Sequence, residues 1–253
     1  VDFWEKQIRR ATELADGDQR PNELLTFYTQ LLRAQRDVSE FLRRAPLAGK
    51  LDHDLPLVRP ALNTLLSVIE NAGPPLLMEQ SRVLKTASEK EIDALLLGYW
   101  VAPSDTEFFA KAFLQPYGLC VAERNQPAFI DEKRCPFCGG RPQLSFLQNR
   151  EPGAESGNRD LMCATCLSTW PFRRVVCAHC GEEDPARLGY FQTTAINHVR
   201  IEACDTCKHY LKGVDLTLLG IAQPLIDEVA AASLDLWATE HGYRKIELNL
   251  IGL

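Results

Sequence analysis

Four Cys-x-x-Cys pairs, Cys135/Cys138, Cys163/Cys166, Cys177/Cys180 and Cys204/Cys207, fall within 73 residues of this 253-residue chain and use eight of its nine cysteines. Two residues between two cysteines let both sulfurs point at one centre from a tight turn. Two such turns complete a tetrahedral four-thiolate shell, the coordination of structural zinc or of rubredoxin-type iron. Eight paired cysteines therefore predict two mononuclear metal sites.

The spacing suggests how the pairs combine. Cys135 to Cys177 and Cys138 to Cys180 are each 42 residues, and Cys163 to Cys204 and Cys166 to Cys207 are each 41. The segment thus reads as one module repeated in tandem. Sequential pairing gives site one Cys135, Cys138, Cys163 and Cys166, and site two Cys177, Cys180, Cys204 and Cys207. We adopt that arrangement, although spacing alone leaves a crossed pairing open.

Composition narrows the class. The chain is 45% hydrophobic and 25% charged, with a formal charge of −6, an ordinary globular balance with room for one or two domains. The longest nearly unbroken apolar stretch, Leu95 to Pro103, is far short of the ~20 residues needed to span a bilayer. Val1-Asp2-Phe3-Trp4-Glu5 shows no basic-then-apolar signal pattern, although the missing initiator Met leaves a short leader open. Paired thiols without an export signal are expected to be reduced metal ligands in the cytoplasm rather than disulfides. Residues 130–215 carry 11 basic and 11 acidic side chains before any thiolate is counted, a poor footprint for nucleic acid.

The first half, 1–125, reads as a helical domain. Asp2-x-x-Glu5, Ser88-x-x-Glu91 and Ser104-x-x-Glu107 resemble capping boxes, and Pro21 suits the first position of a second helix. That helix presents Leu24, Leu25, Phe27, Tyr28, Leu31, Leu32, Val38, Phe41 and Leu42 at helical spacing. A loop holding Pro46 and Pro56 is expected next, then an apolar segment from Leu57 to Ile69. Pro116 is expected to break or kink the last helix. These stripes are read as core, and Cys120, in Leu119-Cys120-Val121-Ala122, as a buried inert thiol. The two metal modules are placed at 130–175 and 176–217, with strand-like runs at Gln143–Leu147 and Val175–Val176 and an exposed loop from Gln148 to Arg159. Residues 224–253 are read as one C-terminal helix, from Leu225 to about His241, stopped by Gly242, and a partly extended tail. The fold class expected is therefore α plus small metal-bound β modules, rubredoxin-like or zinc-ribbon-like.

Module one opens Cys135-Pro136-Phe137-Cys138-Gly139-Gly140, and module two Cys177-Ala178-His179-Cys180-Gly181. Glycine after the second cysteine tolerates positive φ, and such turns aim backbone N–H groups at the sulfurs. Segments this rich in turns have little core, so the ions are expected to supply much of their folding free energy, roughly 10–16 kcal/mol for four-ligand zinc peptides. His179 and His209 are alternative ligands, disfavoured because each site already has four sulfurs. Arg173 and Arg174 are candidates for an anionic partner, with solvated charge as the plainer reading. Trp170 and Tyr210 are expected to shield the metal turns. No catalytic constellation stands out, and a closed four-thiolate site offers substrate no open position.

Taken together, Cys135-Pro-x-Cys138-Gly139 with Pro142, then Leu161-x-Cys163-x-x-Cys166-x-x-x-Trp170-x-x-x-Arg174-x-x-Cys177-x-x-Cys180, Leu188-x-Tyr190 and Glu202-x-Cys204-x-x-Cys207-x-x-Tyr210-Leu211-Lys212 resemble the formate dehydrogenase accessory proteins (FdhE-type). The resemblance covers about residues 135–212. It implies a non-enzymatic cytoplasmic maturation factor whose rubredoxin-like modules bind iron, with zinc as the alternative. Its implied partner is the catalytic subunit of a respiratory formate dehydrogenase, which carries a molybdenum-pterin cofactor and an iron–sulfur cluster and is exported folded. A rubredoxin-like electron carrier and a zinc ribbon for nucleic acid or transcription machinery remain the other classes. Oligomeric state is left open by the sequence.

Overall fold

The structure, a computed structural model, describes residues 2–17, 23–128, 131–150 and 157–252. It divides into two compact units, 1–127 together with 165–167, and 128–164 together with 168–253. Pro21 and most of the expected loop between Gln148 and Arg159 lie outside the described residues.

The first unit is helical: α1 (Phe3–Asp16), α2 (Glu23–Arg44), α3 (Leu51–Ala72), α4 (Pro75–Thr86), α5 (Glu89–Val101) and α6 (Phe108–Ala122). Helix α2 packs against α1, α3 and α6, burying Leu31, Leu32 and Leu42 with Trp4, Leu65 and Phe113. Ser88 and Glu91 form the expected capping box in full. Ser104 does not cap α6. Its hydroxyl engages Thr106, and the helix starts at Phe108 behind Glu107 without a side-chain cap.

Prolines mislead the sequence reading here. Pro56 lies inside α3 with Pro60, rather than in a loop. Pro116 does not end α6, which continues to Ala122. A proline removes the hydrogen bond to the carbonyl four residues earlier. For Pro116 that carbonyl is Ala112, and buried Gln35 of α2 donates to it through Nε2 at 2.8 Å. A side chain from another helix thus replaces the missing backbone donor. Cys120 is buried, as expected, against the Ser39 hydroxyl at 3.5 Å.

The second unit is a seven-stranded sheet. Its strands are β1 (Pro142–Gln148), β2 (Asn158–Cys163), β3 (Thr169–Pro171), β4 (Leu188–Thr193), β5 (Ile196–Cys204), β6 (His209–Asp215) and β7 (Arg244–Lys245). The order is β3-β2-β1-β6-β5-β4, with β7 added beside β6. Within each repeat the strands are antiparallel. The two repeats join through a parallel pairing of β1 with β6, Leu144 opposite Lys212, so their strands form one sheet. Val175 and Val176 form a turn instead of a strand. The Val176 carbonyl accepts from Arg159 Nη1 at 3.0 Å rather than from a neighbouring strand.

The expected single C-terminal helix is two, α7 (Pro224–Ala230) and α8 (Ala232–Glu240), separated at Ala231, whose backbone leaves the helical region. Gly242, at φ 79°, follows α8 as the stop. A buried charge cluster fastens these helices to the sheet. Lys212 of β6 meets Glu228 at 3.1 Å and also pairs with Asp235. Lys245 pairs with the same two carboxylates, Asn249 donates to Glu228 at 2.9 Å, and the Tyr210 hydroxyl donates to Asp235 at 2.8 Å.

Candidate metal centres

Each cluster is assembled from two turns. In the first, Cys135 and Cys138 lie in the turn before β1, Cys163 ends β2 and Cys166 lies in the turn before β3. In the second, Cys177 and Cys180 form the turn before β4, Cys204 ends β5 and Cys207 lies in the turn before β6. The sulfurs gather in the sequential arrangement, with the ligand atoms of each set of four all within 4.8 Å of one another. The crossed arrangement does not occur.

Backbone geometry repeats with the cysteines. The Cys135 N–H donates to Gly140 O and the Cys177 N–H to Glu182 O, both at 2.9 Å. The N–H groups of Gly140 and His179 donate to the sulfurs of Cys138 and Cys177, both at 3.4 Å. In all four turns the residue after the second cysteine has positive φ: Gly139 at 74°, Leu167 at 58°, Gly181 at 84° and Lys208 at 56°. Glycine fills that position at no steric cost in two turns. Leu167 and Lys208 adopt it with a Cβ, at about 1–2 kcal/mol each, strain that persists where the surroundings over-determine the turn.

The donor set fits a tetrahedral thiolate ion. Metal–sulfur bonds of about 2.3 Å put neighbouring sulfurs about 3.8 Å apart. Cys177 to Cys207 and Cys180 to Cys204 are each 3.7 Å, and Cys138 to Cys163 is 3.4 Å. These are far longer than a disulfide bond. Burial pushes the Cys177 thiol up to about 11 and raises that of Cys207 as well. Burial also opposes ionisation of Cys180, but the Glu182 N–H and neighbouring sulfurs outweigh it and lower that thiol. Raised thiols need a cation to become thiolates. Zinc and iron both suit this set. Cys180 is exposed and Cys138 and Cys207 are half-buried, whereas the other five of the paired cysteines are buried.

The remaining candidates find specific places. Trp170 is buried, and its indole N–H donates to Glu132 O at 2.8 Å, fastening β3 to the segment before Cys135. Tyr210 lines a small cleft with Cys177 and Cys204. Arg173 is held by Glu132 at 2.5 Å and Glu183 at 2.7 Å, and Arg174 donates to Gly157 O at 3.3 Å. His179 and His209 stack with ring centroids 3.8 Å apart and, with Cys207, form a third group of metal-competent atoms. Since Cys207 already belongs to a complete set of four, the imidazoles form a layer beside site two. Sequence reasoning missed the charge cluster around Lys212. The clue was the Tyr210-Leu211-Lys212 run, whose alternate residues share one face of β6.

Among the described residues, no helix is long and apolar enough to cross a membrane. Residues 175–251 match the family model described as FdhE, C-terminal domain. A relative from Aquifex aeolicus, "Protein FdhE homolog", is 32% identical over 195 residues, covering 74% of this chain and 68% of that protein. A Haemophilus influenzae protein with the same description is 28% identical over 214 residues, covering 81% of this chain and 70% of its own. The crystal structure of the FdhE protein from Pseudomonas aeruginosa superposes with a TM-score of 0.72 at 23% identity, covering 99% of this chain and 95% of that one. At that identity the likeness speaks to the fold.

Proposed function

The chain belongs to the FdhE family, and on that premise we propose that it is a non-catalytic, cytoplasmic accessory protein that binds the catalytic subunit of a formate dehydrogenase during its maturation. The observation that carries the reading is the pair of closed four-sulfur clusters built into one sheet. Closed sets suit a metal that shapes a surface, since catalytic sites keep a position open. All eight cysteines are proposed as ligands, Cys135, Cys138, Cys163 and Cys166 to one ion and Cys177, Cys180, Cys204 and Cys207 to the other. Iron is the metal the family resemblance implies, with zinc as the alternative. Iron would supply a one-electron couple, whereas zinc would act only as a tie.

The deciding experiment is formate oxidation in a deletion strain that still makes the catalytic subunit. Activity should be lost, return with the wild-type gene, and stay low with Cys177→Ser/Cys180→Ser. Normal formate oxidation in the deletion strain would remove the maturation reading. A second reading, an electron carrier, is favoured by one observation, the exposed position of Cys180. A reversible potential with transfer to a redox partner would support it.

A further inference from the structure

The segment before Cys135 and the turn between Cys177 and Cys180 line a common cavity of about 150 Å³. That is well above the roughly 10–15 Å³ that one water needs on the same measure, room for a carboxylate or phosphate-sized group. Its polar lining is lopsided. Lys133, Arg134 and Arg141 contribute three cations against the single carboxylate of Asp131, and His179 forms part of the wall.

The cations are poorly neutralised. Asp131 is 3.8 Å from Lys133, and one of its oxygens already accepts the Lys133 backbone N–H. Arg141 has only a loose contact with Glu247, at 3.8 Å. Arg134 makes no ion pair among the described residues. Arg173, with carboxylates at 2.5 and 2.7 Å, shows what a satisfied guanidinium looks like in the same unit. His179 adds an independent sign. Its Nδ1 is shielded from water and has no hydrogen-bond partner, an uncommon state for a polar atom in a folded protein. The ring is steadied on one face by His209. Thiolate charge in loaded clusters tempers the local field, but it supplies no acceptor to Arg134.

We propose that this cavity is a binding site for a small oxyanion, a carboxylate or phosphate-type group, gripped by Arg134 and Arg141 with Lys133 beside them. Charge-assisted hydrogen bonds from guanidinium suit such a group. The proposal goes beyond the maturation reading and stands or falls separately, because it concerns this chain alone. Two sources share the chemistry: a free anion, or an acidic side chain presented by a protein.

The test uses metal-loaded full-length protein at constant ionic strength. Inorganic phosphate, acetate and a short Asp-rich peptide are titrated by calorimetry and by NMR of the arginine side chains. Saturable binding of at least one probe is expected, weakened about tenfold by Arg134→Ala, the loss of one charge-assisted bond. Arg141→Ala should weaken it similarly, and Lys90→Ala, at an exposed position of α5, should not. Metal content and circular dichroism report whether each variant folds, and either arginine variant suffices. Binding of free ions assigns the first source, and binding of the peptide alone assigns the second. No saturable binding, or a response that follows ionic strength and ignores the arginine substitutions, overturns the site.

Discussion

Glu202 of β5 meets Arg159 of β2 at 2.6 Å, although β6 and β1 lie between their strands in the sheet. The crossing is made over Gly213 of β6, where a Cβ would stand 2.5 Å from the Glu202 carboxylate and 3.0 Å from the Ser145 hydroxyl. Ser145 of β1 donates to the same carboxylate at 2.8 Å, and Arg200 pairs with it at 2.8 Å. Arg159 also donates to the carbonyls of Arg173 and Val176. One buried carboxylate therefore joins β2, the strand that ends at Cys163, to β5, the strand that ends at Cys204, and steadies the approach to Cys177.

Gly213→Ala should destabilise the sheet unit by about 1–3 kcal/mol, because the added methyl must push Glu202 off its path. Glu202→Gln should cost more, about 3–5 kcal/mol, since it leaves Arg159 buried without its counter-charge. The two losses should be less than additive, because the first already disturbs what the second removes. Denaturant unfolding of the metal-loaded protein measures all three. Full additivity would show that Gly213 has no part in seating the carboxylate.

The same carboxylate predicts an acid limit. Burial pushes the Glu202 carboxyl up, but Arg159 and Arg200 more than offset this and hold it below its usual range. A folded-state value below the unfolded one, about 4.3 for Glu, stabilises the fold above that pH and is lost as pH falls through the folded value. Stability should therefore drop as the pH goes below about 4, with a shallower slope in Glu202→Gln. Equal slopes would place the acid sensitivity elsewhere.

Gln35→Met should destabilise the helical unit by about 1–3 kcal/mol, by leaving the Ala112 carbonyl buried and unpaired. Pro116→Ala restores a backbone N–H to that carbonyl, so it should recover part of the loss in the double variant. Thermal unfolding of the four proteins in the cycle checks this. If Pro116→Ala recovers nothing in the Gln35→Met background, the side chain is not standing in for the missing backbone donor.

How far the sequence discloses this molecule follows from the range of each interaction. The cysteine spacing places the sulfur clusters because each turn is local and the repeat is regular. Ser88 and Glu91 are legible for the same reason. The parallel joint between Leu144 and Lys212 is not, since nothing near either residue announces a partner so distant in the chain. Pro116 looks like a helix breaker until Gln35 arrives from another helix. Leu167 and Lys208 give no local warning of positive φ, because the two-turn sulfur geometry imposes it. The cavity lined by Arg134, Arg141 and His179 needs both repeats folded before it exists.

Loading each cluster should release protons. Burial holds the Cys177 thiol up at about 11 and Cys207 up as well, so unloaded site two keeps protons on these sulfurs near neutral pH. An ion displaces them, and affinity should fall as pH falls. Metal analysis should give two ions per chain, and Cys135→Ser/Cys138→Ser should retain one. Calorimetry of zinc binding in two buffers of different ionisation enthalpy counts the protons. An enthalpy independent of buffer would mean that the thiols are already ionised without metal.

Partner binding should depend on the metal modules and be indifferent to the buried thiol of the helical unit. Stripping the ions with a chelator removes the tie between each pair of turns, so capture of the formate dehydrogenase catalytic subunit should fall at least tenfold and recover on reloading. Cys120→Ser should change capture little, because that sulfur packs inside the helical unit against Ser39. It should instead lower the stability of that unit modestly, since burial disfavours a more polar hydroxyl. A pull-down with stripped, reloaded and Cys120→Ser protein separates the two effects. Undiminished capture by stripped protein would move the docking surface away from the sulfur clusters and leave them as ties for the fold alone.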